Sequence, residues 1–239
     1  MNNKILEQSN PVTLVGGGAL LDRDLRAALA LAPTCVAADG GAEAVLAAGV
    51  PLAAVIGDMD SISQAALARI PPECQHRITE QDSTDFDKAL RHISAPLVLA
   101  VGFCGRRIDH QLAALHTLVM RSDACCLMVG DEDVIFLCPP LFEMPMEPGT
   151  RVSLFPMGAV TGRSDGLEWP IDGLAFAPDG QSGTSNRATG RLRLEVDAPA
   201  LLCILPRASM AAAAETLLAL PRHARWPARA APHKAPPAS

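Results

Sequence analysis

The chain has 239 residues, of which 49% are hydrophobic, enough for one large domain or two modest ones. Its formal charge of −6 and isoelectric point near 5.5 argue against nucleic acid as a partner, because phosphate-backbone binding requires clustered Lys and Arg. No apolar run reaches the ~18 to 20 residues that span a bilayer, and the start of the chain leads into no signal-peptide core. We therefore expect a soluble cytoplasmic protein with no membrane partner.

Between residues 11 and 138, apolar runs of strand length alternate with helical patterns, which is typical of a parallel sheet covered by helices. The predicted strands are 12–15, 35–38, 53–56, 76–79, 97–101 and 125–129, and the predicted helices are 22–31, 42–48, 63–70, 84–93 and 109–120. Polar residues gather where strands end and helices begin. In an open parallel sheet that edge binds ligands, and helix N-termini there favour anions.

The first of these junctions is glycine-rich. Gly16, Gly17 and Gly18 follow the first strand, and Asp39 ends the next strand, about where a dinucleotide-binding fingerprint places its ribose acid. The third fingerprint glycine would fall on Leu21, so the motif is incomplete and an NAD-dependent oxidoreductase is a weak alternative. No P-loop motif occurs in the sequence.

Two carboxylates, Asp58 and Asp60, stand one residue apart at the end of the third strand. In extended chain, residues two apart project from the same face, so both carboxylates can converge while Met59 points away. Two convergent carboxylates repel each other unless a cation lies between them, and Mg²⁺ binds one or two carboxylates together with substrate phosphates. The alternative is that Asp58 begins a turn and Asp60 or Ser61 caps the next helix.

The fourth and fifth strands are followed by further charged residues. Asp82 or Ser83 can cap a helix on which Asp85 and Lys88, three residues apart, share a face directed at the sheet edge. Such a pair can hold a metal and a phosphate together, or be a solvated ion pair, as we interpret Asp87 and Arg91. After the fifth strand come Arg106, Arg107, Asp109 and His110, and arginine suits bidentate phosphate recognition.

The sequence pattern changes near Pro139 and Pro140, which indicates a domain boundary. From 145 to 206, strand-like segments at 151–155, 158–162, 166–170, 174–176 and 191–196 are separated by Gly, Pro and Asp, which predicts a small antiparallel sandwich or barrel. The segment 183–186 is most simply a turn. Residues 207–239 form an Ala- and Pro-rich tail that we expect to be partly disordered, with a helix at 208–220.

Seven motifs in order resemble those of the thiamine pyrophosphokinase family: ADGG (38–41), GDMDS (57–61), QDSTDFDKAL (81–90), GFCGRRIDH (102–110), VSLFP (152–156), GLEWPI (166–171) and GTSN (183–186). The likeness covers roughly residues 12 to 205. It implies a Rossmann-like N-terminal parallel sheet with helices on both faces, at 11–138, and a small C-terminal antiparallel β-sandwich, at 145–206. It also implies a homodimer whose substrate site lies between subunits.

The resemblance implies transfer of a pyrophosphoryl group from ATP to the hydroxyethyl oxygen of thiamine, with Mg²⁺ required, giving thiamine diphosphate and AMP. Its site positions fall on eleven residues here. The metal positions are Asp58, Asp60 and Asp85, and the catalytic set adds Lys88 and Asp109. The ATP positions are Asp39, Arg106 and Arg107, and the thiamine positions are Gln81, Asp109, Ser185 and Asn186, the last two from the partner subunit.

One position departs from the family pattern. Eukaryotic members carry a tryptophan that stacks on thiamine where this chain has Cys203, so an aromatic platform is missing there. Trp169 is the nearest substitute, although we interpret it as a core residue. The departure favours, as an alternative, a pyrophosphokinase for another hydroxymethyl heterocycle such as a pterin. A non-catalytic nucleotide- or thiamine-binding regulator is a second alternative, against which the complete set of acidic residues argues.

Overall fold

The computed structural model describes residues 4–105 and 107–229, so the predictions for Arg106 and for residues 230–239 lie outside the described part. The first half of the chain contains β1 (Leu6–Glu7), β2 (Val12–Val15), α1 (Asp22–Leu31), β3 (Thr34–Ala38), α2 (Gly41–Ala47), β4 (Ala54–Gly57), α3 (Gln64–Leu67), β5 (Gln75–Arg77), α4 (Asp85–His92), β6 (Ile93–Ser94), β7 (Val98–Val101), α5 (Ile108–Met120) and β8 (Cys126–Val129). Every strand and helix predicted between residues 12 and 129 is present, with ends that differ by a few residues.

The second half of the described chain is mostly strands. They are β9 (Asp133–Leu137), β10 (Leu141–Met144), β11 (Arg151–Pro156), β12 (Val160–Leu167), β13 (Ala175–Phe176), β14 (Gly183–Val196) and β15 (Leu201–Pro206), followed by α6 (Met210–Ala219). Sequence patterns missed β9, β10 and β15. The first two flank Pro139 and Pro140, whose turn-forming character hid the strands on either side.

One mixed sheet runs through both halves. Strands β5, β4, β3, β2, β7 and β8 lie in that order and are parallel, as predicted. Beyond β8 the sheet continues through β9, β15, β11, β14, β12 and β13, and these pairs are antiparallel. The fold is therefore mixed α/β. The C-terminal strands were predicted to form a separate sandwich, but they continue the parallel sheet, because β15 pairs with β9 on one side and with β11 on the other.

Helices cover both faces of the parallel part. On β7, Leu99 and Val101 pack in the apolar cluster that includes Leu25 of α1, whereas Ala100 packs in the cluster that includes Leu118 of α5. Alternate residues of a strand point to opposite faces, so α1 and α5 lie on opposite sides of the sheet. Helices α1 and α5 follow the neighbouring strands β2 and β7, and the crossover direction reverses between them.

Two predictions for the second half were wrong. Two separate strands were predicted at 158–162 and 166–170, but residues 160–162 and 166–167 belong to the single strand β12. This strand bulges near Gly166, where φ is +78° and a Cβ would lie 2.0 Å from the Arg191 carbonyl oxygen. Residues 183–186, predicted as a turn, begin the 14-residue strand β14. Small polar residues there suggested a turn, but pairing with β11 overrides that local preference.

The described part of the predicted tail is folded. Helix α6 buries Leu217, and the Arg225 guanidinium donates hydrogen bonds to the backbone oxygens of Pro96, Leu217 and Leu220. The indole N–H of Trp226 donates to the Cys138 carbonyl at 2.7 Å. Among the described helices, none has both the length and the apolar character needed to cross a bilayer.

Candidate metal and phosphate site

Three carboxylates meet at the carboxyl edge of the parallel strands. Asp39 follows β3, and Asp58 and Asp60 follow β4, its neighbour in the sheet. One oxygen from each lies within 4.8 Å of the others. Parallel neighbours end at the same edge, so residues 19 to 21 positions apart in sequence come together without any long-range loop.

A tight turn, and not an extended strand, brings Asp58 and Asp60 together. Met59 lies between them with φ of +64°, a conformation that is rare for a bulky residue. The turn lets the backbone N–H of Asp60 donate to Oδ1 of Asp58 at 3.3 Å, and it places the Met59 side chain in the core. The expected convergence is confirmed, but its cause is a left-handed residue held by the burial of its own side chain.

Asp39 is the buried member of the group. Its φ is +42°, and a Cβ on the facing Gly57 would lie 2.8 Å from the Asp39 Cβ, so glycine at 57 makes room for this carboxyl. Burial raises the pKa of Asp39, as do the charges of Asp85 and Asp58, while a hydrogen bond from Ser61 opposes the rise. Its Oδ1 has no hydrogen-bond donor among the described residues.

Lys88 supplies the positive charge. Its side chain is 2% exposed, and Nζ lies 3.2 Å from Oδ2 of Asp58 and 3.0 Å from Oδ1 of Asp85. Burial alone would lower the pKa of Lys88, but hydrogen bonds and attraction to the two carboxylates outweigh it, and the pKa is raised. Burial likewise disfavours ionised Asp58, yet hydrogen bonds from Lys88 and the Asp60 N–H lower its pKa. The ion pair is therefore charged at neutral pH.

Helix α4 begins at Asp85 and directs Lys88 towards this edge. Its N-cap is Thr84, whose hydroxyl accepts from the Asp87 N–H at 3.3 Å, and not Asp82 or Ser83 as predicted. Capping one residue later still leaves Asp85 and Lys88 three apart on one helix face, so the interpretation of that pair is unaffected.

The group fits a hard divalent cation. Three carboxylates converge here, and one of them, Asp39, has a buried oxygen without a donor among the described residues. Such carboxylates repel one another and are the ligand type that Mg²⁺ prefers. The structure adds Asp39 to this group, although Asp39 had been predicted to bind ATP. Its position at the end of the strand next to β4 was the sequence signal that could have indicated this. Asp85 is not in the group of three; it contacts Lys88, and its assignment as a metal ligand stays a prediction.

The remaining predicted residues of the first half are exposed. Arg107 donates two hydrogen bonds to Asp109, at 3.1 and 2.5 Å, and this pairing lowers the pKa of Asp109 and raises that of Arg107. Both follow β7, two strands away from β3 along the same edge, and Gln81 lies in the exposed loop before α4. Among the described residues, no hydrogen bond or ion pair joins these three side chains to Asp39, Asp58 or Asp60.

Ser185 and Asn186 lie on β14, in the other half of the chain. The Asn186 side chain is buried; its Nδ2 donates to the Trp169 carbonyl at 2.6 Å, and its Oδ1 accepts from the Trp169 N–H at 3.2 Å. Ser185 is exposed, with φ of +62°, and its N–H donates to the Ser153 hydroxyl. Trp169 is 54% exposed, so its interpretation as a core residue was wrong.

The fold and the site together define an α/β protein with an acidic, lysine-bearing site at the carboxyl edge of its sheet. Residues 25–129 match the sequence model of the thiamin pyrophosphokinase catalytic domain. Thiamine pyrophosphokinase 1 of Oryza sativa subsp. japonica is 28% identical over 150 residues, and thiamine pyrophosphokinase 1 of Arabidopsis thaliana is 27% identical over 149. Both alignments cover 54% of this chain and 56% of the relative, so the chain spans about half the length of the curated relatives it matches.

Solved structures extend the likeness to most of the fold. The thiamine pyrophosphokinase of Bacillus subtilis superposes with a TM-score of 0.66 over 82% of this chain and 98% of its own, at 21% identity. The yeast enzyme gives 0.66 over 91% and 93%, at 17% identity. These findings confirm the resemblance found in the motifs: the chain is similar to the thiamine pyrophosphokinases, and the match to the family model covers Asp39, Asp58, Asp60, Asp85 and Lys88.

Proposed function

We propose that this protein is a thiamine pyrophosphokinase, which transfers the terminal diphosphoryl group of ATP to the hydroxyethyl oxygen of thiamine and releases AMP. The observation that carries the proposal is the group Asp39, Asp58 and Asp60 beside the buried, doubly paired Lys88. This arrangement lies wholly inside the part of the chain that matches the family's catalytic domain. It supplies what attack on a β-phosphorus requires, namely positioning and charge neutralisation.

In this proposal Asp39, Asp58 and Asp60 hold Mg²⁺, with Asp85 at its margin, and the ion would neutralise charge on the triphosphate and the leaving AMP. Lys88 is kept protonated by Asp58 and Asp85 and is too buried to move far. It therefore stabilises the acidic loops in the absence of substrate, and it supplies a fixed positive charge when phosphate oxygens arrive.

The other polar residues act around this centre. One carboxylate among Asp58, Asp60, Asp85 and Asp109 accepts the proton of the thiamine hydroxyl. Arg107, and Arg106 beside it, bind the nucleotide phosphates once Arg107 leaves Asp109, an exposed pair that costs little to separate. Gln81 contacts thiamine from the loop before α4.

We also propose that the C-terminal strands form the thiamine-binding sandwich and that the enzyme is a cytoplasmic homodimer. Within one chain, no described hydrogen bond or ion pair links Ser185 or Asn186 to the carboxylates, which is consistent with their acting on a partner subunit's site. Ser185 offers its exposed hydroxyl. Asn186, whose amide hydrogen-bonds to the Trp169 backbone, keeps the start of β14, which carries Ser185, in position.

The test is to incubate purified protein with thiamine, ATP and Mg²⁺ and to separate the products by chromatography, with EDTA and thiamine-free controls. Thiamine diphosphate with equimolar AMP is the expected result. ADP with thiamine monophosphate would show transfer of the γ-phosphoryl group and contradict the proposed reaction. AMP formed only with a pterin alcohol would contradict the proposed acceptor.

A further inference from the structure

An arginine that no sequence motif indicated lies beside the acidic group. Arg77 is the last residue of β5, the edge strand next to β4, and it pairs with Gly57 in register. The N–H of Ile78 donates to the Gly57 carbonyl at 2.8 Å, so β5 stays hydrogen-bonded to β4 up to the point where the carboxylates begin. Parallel neighbours end at the same edge, and Arg77 therefore lies at the edge that carries Asp58 and Asp60.

The Arg77 side chain contacts the turn that brings these carboxylates together. Its Nε–H donates to the backbone carbonyl of Asp58 at 2.9 Å, although the residue is exposed. The guanidinium is planar and rigid, so its two Nη groups lie within about 5 Å of that carbonyl. Asp58 is thus held at two points, by Lys88 at its carboxylate and by Arg77 at its backbone.

Arg77 differs in its partners from Lys88 and Arg107. The ammonium of Lys88 is shared by two carboxylates, and Arg107 is paired with Asp109. Within the described residues Arg77 forms no ion pair with a carboxylate, and the oxygen that its Nε contacts belongs to an uncharged carbonyl. A guanidinium held in this way presents its two Nη groups as a fork of N–H donors, which matches the paired oxygens of a phosphate or a diphosphate.

The charge of the edge makes such a donor necessary for an anionic ligand. A diphosphoryl group brings several negative charges to an edge that already carries three carboxylates. Mg²⁺ between the carboxylates would offset part of this charge, but the phosphate oxygens that it does not bind need donors of their own. Lys88 uses two of its three N–H donors on Asp58 and Asp85. Arg77 has the charge, the donors and the position to supply the rest.

We propose that Arg77 binds the diphosphoryl group that the reaction transfers, through its two Nη groups, while the Asp58 carbonyl keeps its Nε in place. The inference rests on the proposed function, because that reaction supplies the diphosphoryl group. It adds a second fixed cation to the site, contributed by β5 and not by α4. The seven motifs that carry the family resemblance leave this residue out, since it lies between GDMDS (57–61) and QDSTDFDKAL (81–90).

The experiment measures calorimetric binding of inorganic pyrophosphate with Mg²⁺ and, separately, the rise in melting temperature caused by Mg²⁺ alone. Arg77→Met removes the charge and the donors from an exposed side chain, so the variant should fold as the wild type does. Its affinity for pyrophosphate should fall about tenfold, since charge-assisted hydrogen bonds typically contribute that factor. The rise caused by Mg²⁺ should be at least as large as in the wild type, because removing a nearby cation strengthens the attraction of the carboxylates for the ion.

Two further variants are matched to this one. Lysine keeps the charge but not the fork, so Arg77→Lys should lose only about threefold in affinity for pyrophosphate. Arg69 is also exposed and also donates to a backbone carbonyl, that of Leu46 at 3.3 Å, but it follows α3 and belongs to no proposed site. Arg69→Met should therefore bind pyrophosphate and Mg²⁺ as the wild type does.

The outcomes separate this inference from the proposed function. Unchanged affinity of Arg77→Met for pyrophosphate would overturn the inference, while thiamine diphosphate formation by the wild type would leave the proposed function standing. Parallel losses of pyrophosphate binding and of the Mg²⁺ effect would overturn it too, because Arg77 would then act by holding the Asp58 turn in shape. A wild-type protein that neither binds pyrophosphate nor forms thiamine diphosphate would overturn the proposed function together with the inference.

Discussion

Helix α4 carries two buried, charged residues side by side, and their surroundings differ. Asp87 forms a two-pronged pair with Arg121 of α5, with Nε to Oδ1 at 2.6 Å and Nη2 to Oδ2 at 2.8 Å. Lys88, the next residue, points to the other side and is shared by Asp58 and Asp85. The first pair is neutral and geometrically complete, so it joins two helices and offers nothing to a ligand.

The second group is unbalanced. The four carboxylates Asp39, Asp58, Asp60 and Asp85 have one ammonium among them, that of Lys88, which pairs with Asp58 and Asp85. The pKa of Asp39 is raised by burial and by its neighbours. An excess of negative charge at a sheet edge is a cost to folding that a bound cation relieves. The comparison teaches that incomplete pairing, and not the presence of buried charge, distinguishes the candidate site from a structural contact.

The largest expected effect is on turnover, from Asp60→Asn. Asp60 is exposed, so the substitution should leave the thermal midpoint within about 1 °C of wild type, whereas loss of a metal ligand should lower kcat/KM by about 10²- to 10³-fold. Product formation and a melting curve measure the two effects, with Asp123→Asn, a substitution of an exposed carboxylate at the opposite edge of the sheet, as the control. Near wild-type turnover would remove Asp60 from the site.

The next effect, from Lys88→Met, should appear in both measurements. Turnover should fall about 10²-fold, because a fixed charge beside the phosphates is lost. Stability should fall by about 1 to 2 kcal/mol in the absence of metal, since Asp58 and Asp85 lose their shared partner. Added Mg²⁺ should restore much of that stability by replacing the ammonium. A destabilisation insensitive to Mg²⁺ would show that the cation does not bind beside Lys88.

Arg121→Met is the matched substitution on the structural pair. We expect a loss of about 2 to 3 kcal/mol in the free energy of unfolding, because Asp87 is left buried without its partner. At a temperature well below the transition, kcat and KM should equal those of the wild type. Chemical denaturation and steady-state kinetics check this, and a tenfold drop in kcat in the folded variant would erase the distinction between the two regions.

The smallest expected effect is a gain in stability from Asp39→Asn. Burial raises the pKa of Asp39 above its unfolded value, so the ionised form opposes folding at pH 7 and ceases to do so as pH falls towards 4. Asparagine tolerates the left-handed backbone at this position and carries no charge.

The metal-free Asp39→Asn variant should therefore melt a few degrees above wild type at pH 7, and the difference should disappear near pH 4. Mg²⁺ should raise the midpoint of the wild type but not of the variant. The measurement is a set of melting curves across pH with and without Mg²⁺. A lower midpoint at pH 7 would mean that the Ser61 hydrogen bond outweighs the burial of the charge.

Hydrophobic runs and motif order predicted the parallel half of the fold closely. Strands such as β2 and β4 are buried on both faces, so their sequences are largely apolar runs that are easily recognised as strands. The second half was harder to predict from sequence. The first residues of β14 are small and polar, and they are held in a strand by pairing with β11, which is distant in sequence. Local sequence carries no record of such pairing.

The sequence predicted most residues of the candidate site, but fewer of the contacts between them. Asp58, Asp60, Asp85 and Lys88 were found from spacing and motif, but the inclusion of Asp39 depends on which strands are neighbours. Asp87 was predicted to pair with Arg91, four residues away, and this was wrong. Sequence spacing can indicate partners within one helix, but it does not indicate partners on another helix. The actual partner of Asp87, Arg121, is 34 residues distant, and Arg91 pairs with Glu80.

Strand β15 connects the two halves of the sheet, and this has a consequence for synthesis. Leu201–Pro206 lies between β9 and β11, so both strands keep an open edge until the chain has emerged from the ribosome beyond residue 206. Open strand edges attract other strands. We therefore expect the nascent chain, with its parallel half already translated, to need protection from aggregation until this late strand closes the sheet.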